Sequence, residues 1–240
     1  MHFTALACDY DGTVADGGAI ADETADALAR VIDSGRKLVL VTGRELPDLL
    51  DVCPKIHLFH WVVAENGGLL YQPSTGNEEP LAPPPSAEFV VTLKRREVEP
   101  CTTGRVIVST RQPHEKVVLE TIRDLGLELQ VIFNKGAVMV LPSGTNKATG
   151  LASALEKMGT SLTNVVALGD AENDHALLEG CGAGVAVANA VPLLKAHADW
   201  VTDGANGEGV RQLVERLLAN DLADLERKLQ QKPTTPVMHV

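Results

Sequence analysis

Ala5-Leu6-Ala7-Cys8-Asp9-Tyr10-Asp11-Gly12-Thr13 is the stretch on which the fold turns. A short apolar run reads as a strand buried on both faces, and this one stops abruptly at two aspartates, a glycine and a threonine. Strands buried on both faces belong to parallel sheets, whose ligands gather at the carboxyl ends. Asp9 and Asp11 are therefore expected at the mouth of a sheet, two residues apart. One carboxylate there can attack an electrophile or bind a cation while its neighbour moves protons. A solvated Asp-Gly turn has the same local sequence, so the rest of the chain must discriminate.

The flanking sequence supplies the remainder of that sheet. Val14 to Ala21 is small and glycine-containing, and reads as a flap. From Asp22 the apolar residues Ala25, Leu28, Ala29 and Ile32 recur at helical spacing, and Gly35 closes the helix. Lys37 to Val41 is a second buried strand, stopping at Thr42-Gly43-Arg44. A short helix runs to about Val52, and Trp61 to Ala64 is a third strand, ending at Glu65-Asn66-Gly67-Gly68. This alternation is that of a right-handed parallel βαβ core. It resumes at Gly144-Thr145-Asn146-Lys147, with a helix to about Met158 and a strand at Val165 to Leu168. That strand ends in Gly169-Asp170-Ala171-Glu172-Asn173-Asp174, and shorter helices and strands follow.

The intervening block has a different rhythm. Five prolines between Gln72 and Ser86 read as a linker or surface loop. Beyond them come a helix from Ala87 to Val98, a strand at Arg105 to Ser109, a helix from Pro113 to Leu125, and two strands joined by Asn134-Lys135-Gly136. The expected fold is α/β: a Rossmann-like, doubly wound parallel sheet with an inserted small α+β cap domain. Residues 1–71 and 144–218 form the discontinuous core, 72–143 the cap, and 219–240 a C-terminal helix and tail. Leu218, Leu222, Leu225 and Leu229 recur at four- and three-residue steps, either packing on the body or offering a protein contact; so few repeats favour packing. Lys232 to Val240 reads as disordered.

Composition narrows the function. Hydrophobic residues make up 45% and charged residues 22% of 240 residues, an ordinary globular balance. A net charge of −11 argues against a nucleic-acid partner, which requires clustered Lys and Arg. No run approaches the ~20 apolar residues that span a bilayer, and no export signal opens the chain, so a cytoplasmic protein without a membrane partner is expected. The four cysteines are scattered, with no metal or disulfide pattern, and Cys8 reads as core. Aromatic residues at 3% offer little to stack on a nucleobase. Gly144-Thr145-Asn146-Lys147 lacks P-loop spacing, Gly182-Ala183-Gly184 lacks the third dinucleotide-binding glycine, and His175 reads as outward-facing.

If the strand ends meet at one edge, they bring Asp9, Asp11, Thr42, Asp170, Asn173, Asp174 and Lys147 together. Carboxylates so crowded repel unless a cation sits among them, and hard oxygen donors suit Mg²⁺. This set resembles the haloacid dehalogenase-like phosphatases. Asp9-Tyr10-Asp11-Gly12-Thr13 matches their first motif, Thr42-Gly43-Arg44 the second, Lys147 the third, and Gly169 to Asp174 the fourth. The insertion between motifs two and three resembles the C2 cap of the Cof-type, or IIB, branch. The resemblance implies a Mg²⁺-dependent phosphatase acting on a small phosphorylated metabolite, a sugar phosphate or phosphoglycolate-like acid, through an aspartyl-phosphate. It implies Asp9 as nucleophile and Asp11 as general acid and base; Thr42, Gly43, Lys147 and Asn173 as phosphate-binding; and Asp9, Asp11, Asp170 and Asp174 as the metal set. Arg44 and Asn66 are candidate substrate contacts, as are the cap-borne Arg105, His114, Lys116 and Lys135. A phosphotransferase or mutase would use the same aspartyl-phosphate, and a non-catalytic regulatory module is a third class.

Overall fold

The computed structural model describes residues 1–225. In chain order the elements are β1 (Ala5–Asp9), α1 (Asp22–Asp33), β2 (Lys37–Val41), α2 (Leu46–Val52), β3 (Trp61–Ala64), β4 (Leu69–Gln72) and β5 (Asn77–Pro80). The inserted part holds α3 (Ala87–Arg95), β6 (Thr102–Thr103), β7 (Val108–Arg111), α4 (Glu115–Asp124), β8 (Leu129–Asn134) and β9 (Ala137–Pro142). The chain then returns through α5 (Lys147–Met158), β10 (Val165–Gly169), α6 (His175–Gly180), β11 (Ala183–Ala186), α7 (Pro192–His197), β12 (Trp200–Val201) and α8 (Asn206–Asn220).

The larger sheet has the order β12-β11-β10-β1-β2-β3-β4-β5. Its first six strands are parallel, and β4 and β5 continue it as an antiparallel hairpin. The chain winds outward from β1 through β2 and β3 on one side and through β10, β11 and β12 on the other. The reversal therefore falls between β1 and β10, where a crevice opens beyond the strand ends. Helices cover both faces, α1 packing with α8 and α5 with α6, so all five residues of β1 and of β10 are buried. That burial is why both strands read as continuous apolar runs rather than alternating ones.

The hairpin moves a boundary. Residues 72–80 were expected to open the cap, yet Asn77–Pro80 pairs with Leu69–Gln72 at the edge of the core sheet. Pro80 is tolerated there because an edge strand needs no ladder N–H on its outer side. At the other end, Leu222 and Leu225 are buried in the core and Leu218 packs against it, which accounts for the leucine spacing as intramolecular packing. Leu229 and the Lys232–Val240 tail lie outside the described residues. No helix among the described residues is long and apolar enough to cross a membrane.

The cap sheet, β6-β7-β9-β8, is antiparallel throughout. Alternation gives it two different faces. Val108, Val138 and Val140 point to one side, where Phe89 and Leu93 of α3 and Val118 of α4 complete an apolar cluster. Ser109, Arg111, Ala137 and Met139 point to the other side, toward the core.

One buried side chain ties the two parts together. The Glu65 carboxylate is fully buried at the end of β3, and it accepts hydrogen bonds from the backbone N–H groups of Arg105 (2.8 Å), Val106 (2.7 Å) and Ile107 (3.1 Å). Gly104 must be a glycine, since a Cβ there would lie 2.4 Å from a Glu65 oxygen. These bonds also explain why the expected strand at Arg105 to Ser109 begins only at Val108. The preceding three N–H groups are turned to a carboxylate instead of a neighbouring strand.

Candidate active site

Each strand end contributes what the sequence placed on it. Asp9 closes β1, and Asp11 follows in a turn whose Gly12 adopts φ +81°. Any Cβ at Gly12 would meet Asp170 Oδ2 at 2.4 Å, so the close approach of the first and fourth motifs demands glycine. Asn189 reinforces the turn by donating to the Gly12 carbonyl (2.8 Å). The Tyr10 hydroxyl donates to the Gly18 carbonyl (2.9 Å), pinning the segment after the motif.

The chemical centre is a buried charge cluster. Lys147 opens α5, whose preceding residue Asn146 caps it by accepting from the N–H groups of Ala148 and Thr149. The cap fixes the helix start, and with it the lysine. Its ammonium donates to Asp9 Oδ1 (2.5 Å) and Asp174 Oδ1 (2.6 Å), with all three side chains almost wholly excluded from solvent. Asp174 Oδ2 accepts from the backbone N–H groups of Asp170 (2.9 Å) and Ala171 (3.0 Å), so both of its oxygens are engaged. Burial pushes the Asp9 carboxyl well above the ordinary carboxylate range; Lys147 pulls against this, while Asp174 and Asp170 add to the rise. Burial likewise raises Asp170, opposed by Lys135. Burial disfavours the charged form of Lys147 too, yet Asp174 and Asp9 outweigh it and hold that ammonium above the usual lysine value.

Asp9, Asp170 and Asp174 each offer an oxygen within 4.8 Å of the others. Three buried oxygen donors, two of them with pKa values raised by burial and, to a lesser degree, by their carboxylate neighbours, are a fitting set for a hard divalent cation. Asp174 is the least available of the three, because both of its oxygens hold buried Lys147 and backbone N–H groups, whereas Asp170 bonds the half-exposed Lys135 and, at 3.4 Å, Thr13 and Asn189.

Thr42 is buried, and its hydroxyl accepts from the Arg44 N–H (3.1 Å). Beside it Gly43 leaves room for Met139 of the cap, whose sulfur would lie 3.2 Å from a Cβ at that position. Asn173 donates through Nδ2 to Asn66 Oδ1 (2.9 Å), leaving Asn173 Oδ1 and Asn66 Nδ2 buried without partners among the described residues. Arg44 forks onto Asp11 (Nε to Oδ2 2.7 Å, Nη2 to Oδ1 2.8 Å) and also bonds Asp48 (2.5 Å). The residue expected to touch substrate thus holds the expected general acid.

A cavity of about 540 Å³ lies between this edge and the core-facing side of the cap. Asp9, Asp11, Thr42 and Gly43 line it from below, with Ser109, Arg111, Asn134 and Met139 among the lining residues above. Lys135, at the tip of the β8–β9 turn, reaches down to bond Asp170, while its N–H meets a Glu172 oxygen (3.3 Å). The other cap candidates do not converge here. Arg105 pairs with Glu78 (2.8 Å), Lys116 with Glu120 (4.0 Å), and His114 with the Glu99 carbonyl (3.0 Å). His175 is half-buried rather than outward, its ring 5.5 Å from that of His197, because α6 lies against α7. Glu65, Arg111 and Asn134 were not singled out from sequence. Alternation along Val108 to Arg111 carries the signal for Arg111, whereas nothing local marks Glu65.

Comparison with known proteins agrees with this geometry. The chain matches the haloacid dehalogenase-like hydrolase family over residues 6–116 and 86–214. It is 32% identical, over 225 residues covering 89% of this chain and 98% of the relative, to a phosphoglycolate phosphatase of Methanothermobacter thermautotrophicus. It is 28% identical, over 87% of this chain and 93% of the relative, to a 5-amino-6-(5-phospho-D-ribitylamino)uracil phosphatase of Bacillus subtilis. A solved sugar phosphatase of subclass IIB superposes with a TM-score of 0.72 at 20% identity, covering 89% of this chain and 98% of the other. The fold and site define a hydrolase with a capped α/β core. The chain belongs to the haloacid dehalogenase-like hydrolases.

Proposed function

We propose that this enzyme hydrolyses a small phosphorylated metabolite, a sugar phosphate or a phosphoglycolate-like acid, through a phosphorylated Asp9. It is a phosphoric monoester hydrolase. The observation that carries the reading is the placement of Asp9 and Asp11 at the sheet's reversal point, with Lys147 wedged between Asp9 and Asp174. An Asp9 carboxylate oxygen attacks phosphorus, and the ester P–O bond breaks as Asp11 protonates the departing alkoxide. Water then attacks the phosphorus, giving a proton to Asp11, and the bond to Asp9 breaks to release phosphate. Arg44 orients Asp11 for both transfers by gripping its two oxygens. Lys147, with the Gly43 N–H and the Thr42 hydroxyl, faces the charge that gathers on the phosphoryl oxygens. Mg²⁺ held by Asp9 and Asp170, with Asp11 contributing its backbone carbonyl and Asp174 in support, would neutralise the phosphoryl group during approach.

Phosphate release from sugar phosphates, phosphoglycolate and nucleotides, with and without Mg²⁺, tests this reading. Metal-dependent release is expected, and Asp9→Asn should reduce it at least about a thousandfold. An Asp9→Asn protein as active as the parent would overturn the mechanism.

A further inference from the structure

The cap's core-facing side carries a notch. Across three adjacent strands, Arg111 pairs with Ala137 and Ala137 with Asn134, so these residues form one row on one face. Ala137 has the smallest side chain of the row, and strands are about 4.8 Å apart, so two polar side chains about 10 Å apart at the backbone flank a gap. Met139, two residues along β9, borders the notch on the side of Gly43 and lines the same cavity.

The chemistry of the two walls is complementary. Arg111 is exposed, and its guanidinium has no hydrogen-bond or ion-pair partner among the described residues. Other charged groups lining the cavity are already engaged: Arg44 with Asp11 and Asp48, Asp9 with Lys147, and Glu45 with the Thr102 hydroxyl (2.5 Å). Among the described residues lining the cavity, Arg111 is thus the cation left to meet an incoming negative charge, and a guanidinium fork matches a carboxylate. On the opposite wall, Asn134 Oδ1 is buried without a partner among the described residues. A buried carbonyl oxygen of this kind needs a donor, and an alcohol hydroxyl on the ligand supplies one.

We propose that the Arg111–Ala137–Asn134 notch receives the leaving group and selects a small phosphorylated acid carrying both a carboxylate, bound by Arg111, and a free hydroxyl, bound by Asn134. The inference rests on the phosphatase reading above and adds to it the part of the substrate that is recognised. A phosphomonoester of a three-carbon dihydroxy acid carries both groups beside the phosphate.

Four phosphomonoesters test it: phosphoglycerate (carboxylate and hydroxyl), phosphoglycolate (carboxylate alone), glycerol phosphate (hydroxyls alone) and p-nitrophenyl phosphate (neither). The parent enzyme should rank phosphoglycerate first by kcat/KM. Arg111→Gln should lower the ratio of kcat/KM for phosphoglycolate over that for glycerol phosphate by about ten- to a hundredfold, mostly through KM. Asn134→Leu should lower the ratio for phosphoglycerate over phosphoglycolate by about three- to tenfold. Thermal melting of both variants checks that the cap is intact. An unchanged acid-to-alcohol ratio in Arg111→Gln overturns the notch while leaving the phosphatase reading in place. Failure of the parent to release phosphate from any of the four counts against the phosphatase reading itself, and the notch proposal falls with it.

Discussion

At the carboxyl edge of the large sheet, Lys147, Asp9 and Asp174 have side chains at most 7% exposed, and each is bonded to an opposite charge. On the facing side of the cap sheet, Arg111 stands exposed with no such partner among the described residues. The difference teaches where each job can be done. Charges buried among one another hold their geometry because removing any one strands the rest in a low-dielectric interior. A half-open polar surface can change residue by residue at small cost to folding, which suits recognition of variable leaving groups.

The sharpest way to break the comparison is Lys147→Met. It leaves Asp9 and Asp174 buried together without their cation, and is expected to cost about 3–5 kcal/mol of stability as well as activity. Urea denaturation measures the loss. A variant as stable as the parent would mean that the cluster is not held by this ion pair. Next in size is Glu65→Ala, which strips the acceptor from three backbone N–H groups at the junction of core and cap. About 3 kcal/mol of destabilisation is expected, together with faster proteolytic cutting between residues 81 and 107. Unaltered cutting would show that the cap is anchored elsewhere.

Metal removal probes the same edge through pH. Asp9 and Asp170 have pKa values raised by burial, so the folded, metal-free protein holds protons that the unfolded chain has released. The contribution of these groups to stability therefore falls as pH rises from the ordinary carboxylate range through the raised values. Mg²⁺ at a hundred times its Kd would restore about 2.7 kcal/mol. Melting in chelator and in Mg²⁺ across that pH range should give two curves that diverge upward in pH. Parallel curves would contradict the placement of the cation beside Asp9 and Asp170.

Much of this edge was legible because parallel strands in one sheet end on the same side. Once the apolar runs before Asp9, Thr42 and Asp170 are read as parallel strands, their polar ends must converge. What stayed hidden depends on tertiary partners. Arg105-Val106-Ile107 has the composition of a strand, but its N–H groups belong to Glu65, forty residues or more away. The prolines of residues 72–86 resemble a linker or surface loop, yet Pro73 begins the turn and Pro80 ends the outer, edge strand of a hairpin. Arg44 reads from the sequence as a substrate contact. Its bonds to both Asp11 oxygens, which no spacing rule supplies, add a clamp on Asp11.

The smallest expected effect lies where the two regions touch. Lys135 is about half exposed and bonds the fully buried Asp170, so Lys135→Gln should change global stability by less than about 1 kcal/mol. Its consequence for metal binding runs the other way from most lesions. If Asp170 holds the divalent cation, as proposed, the ammonium competes for that carboxylate, so relieving the competition should tighten Mg²⁺ binding by up to about fivefold. Calorimetric titration with Mg²⁺ alone, without substrate, isolates this effect from any change in turnover. Tighter binding at unchanged urea midpoint would mean that the cap reports directly on the core's charge balance. Equal binding in parent and variant would mean that the lysine leaves Asp170 when the ion arrives at no measurable cost, and the two sheets would then be electrostatically independent.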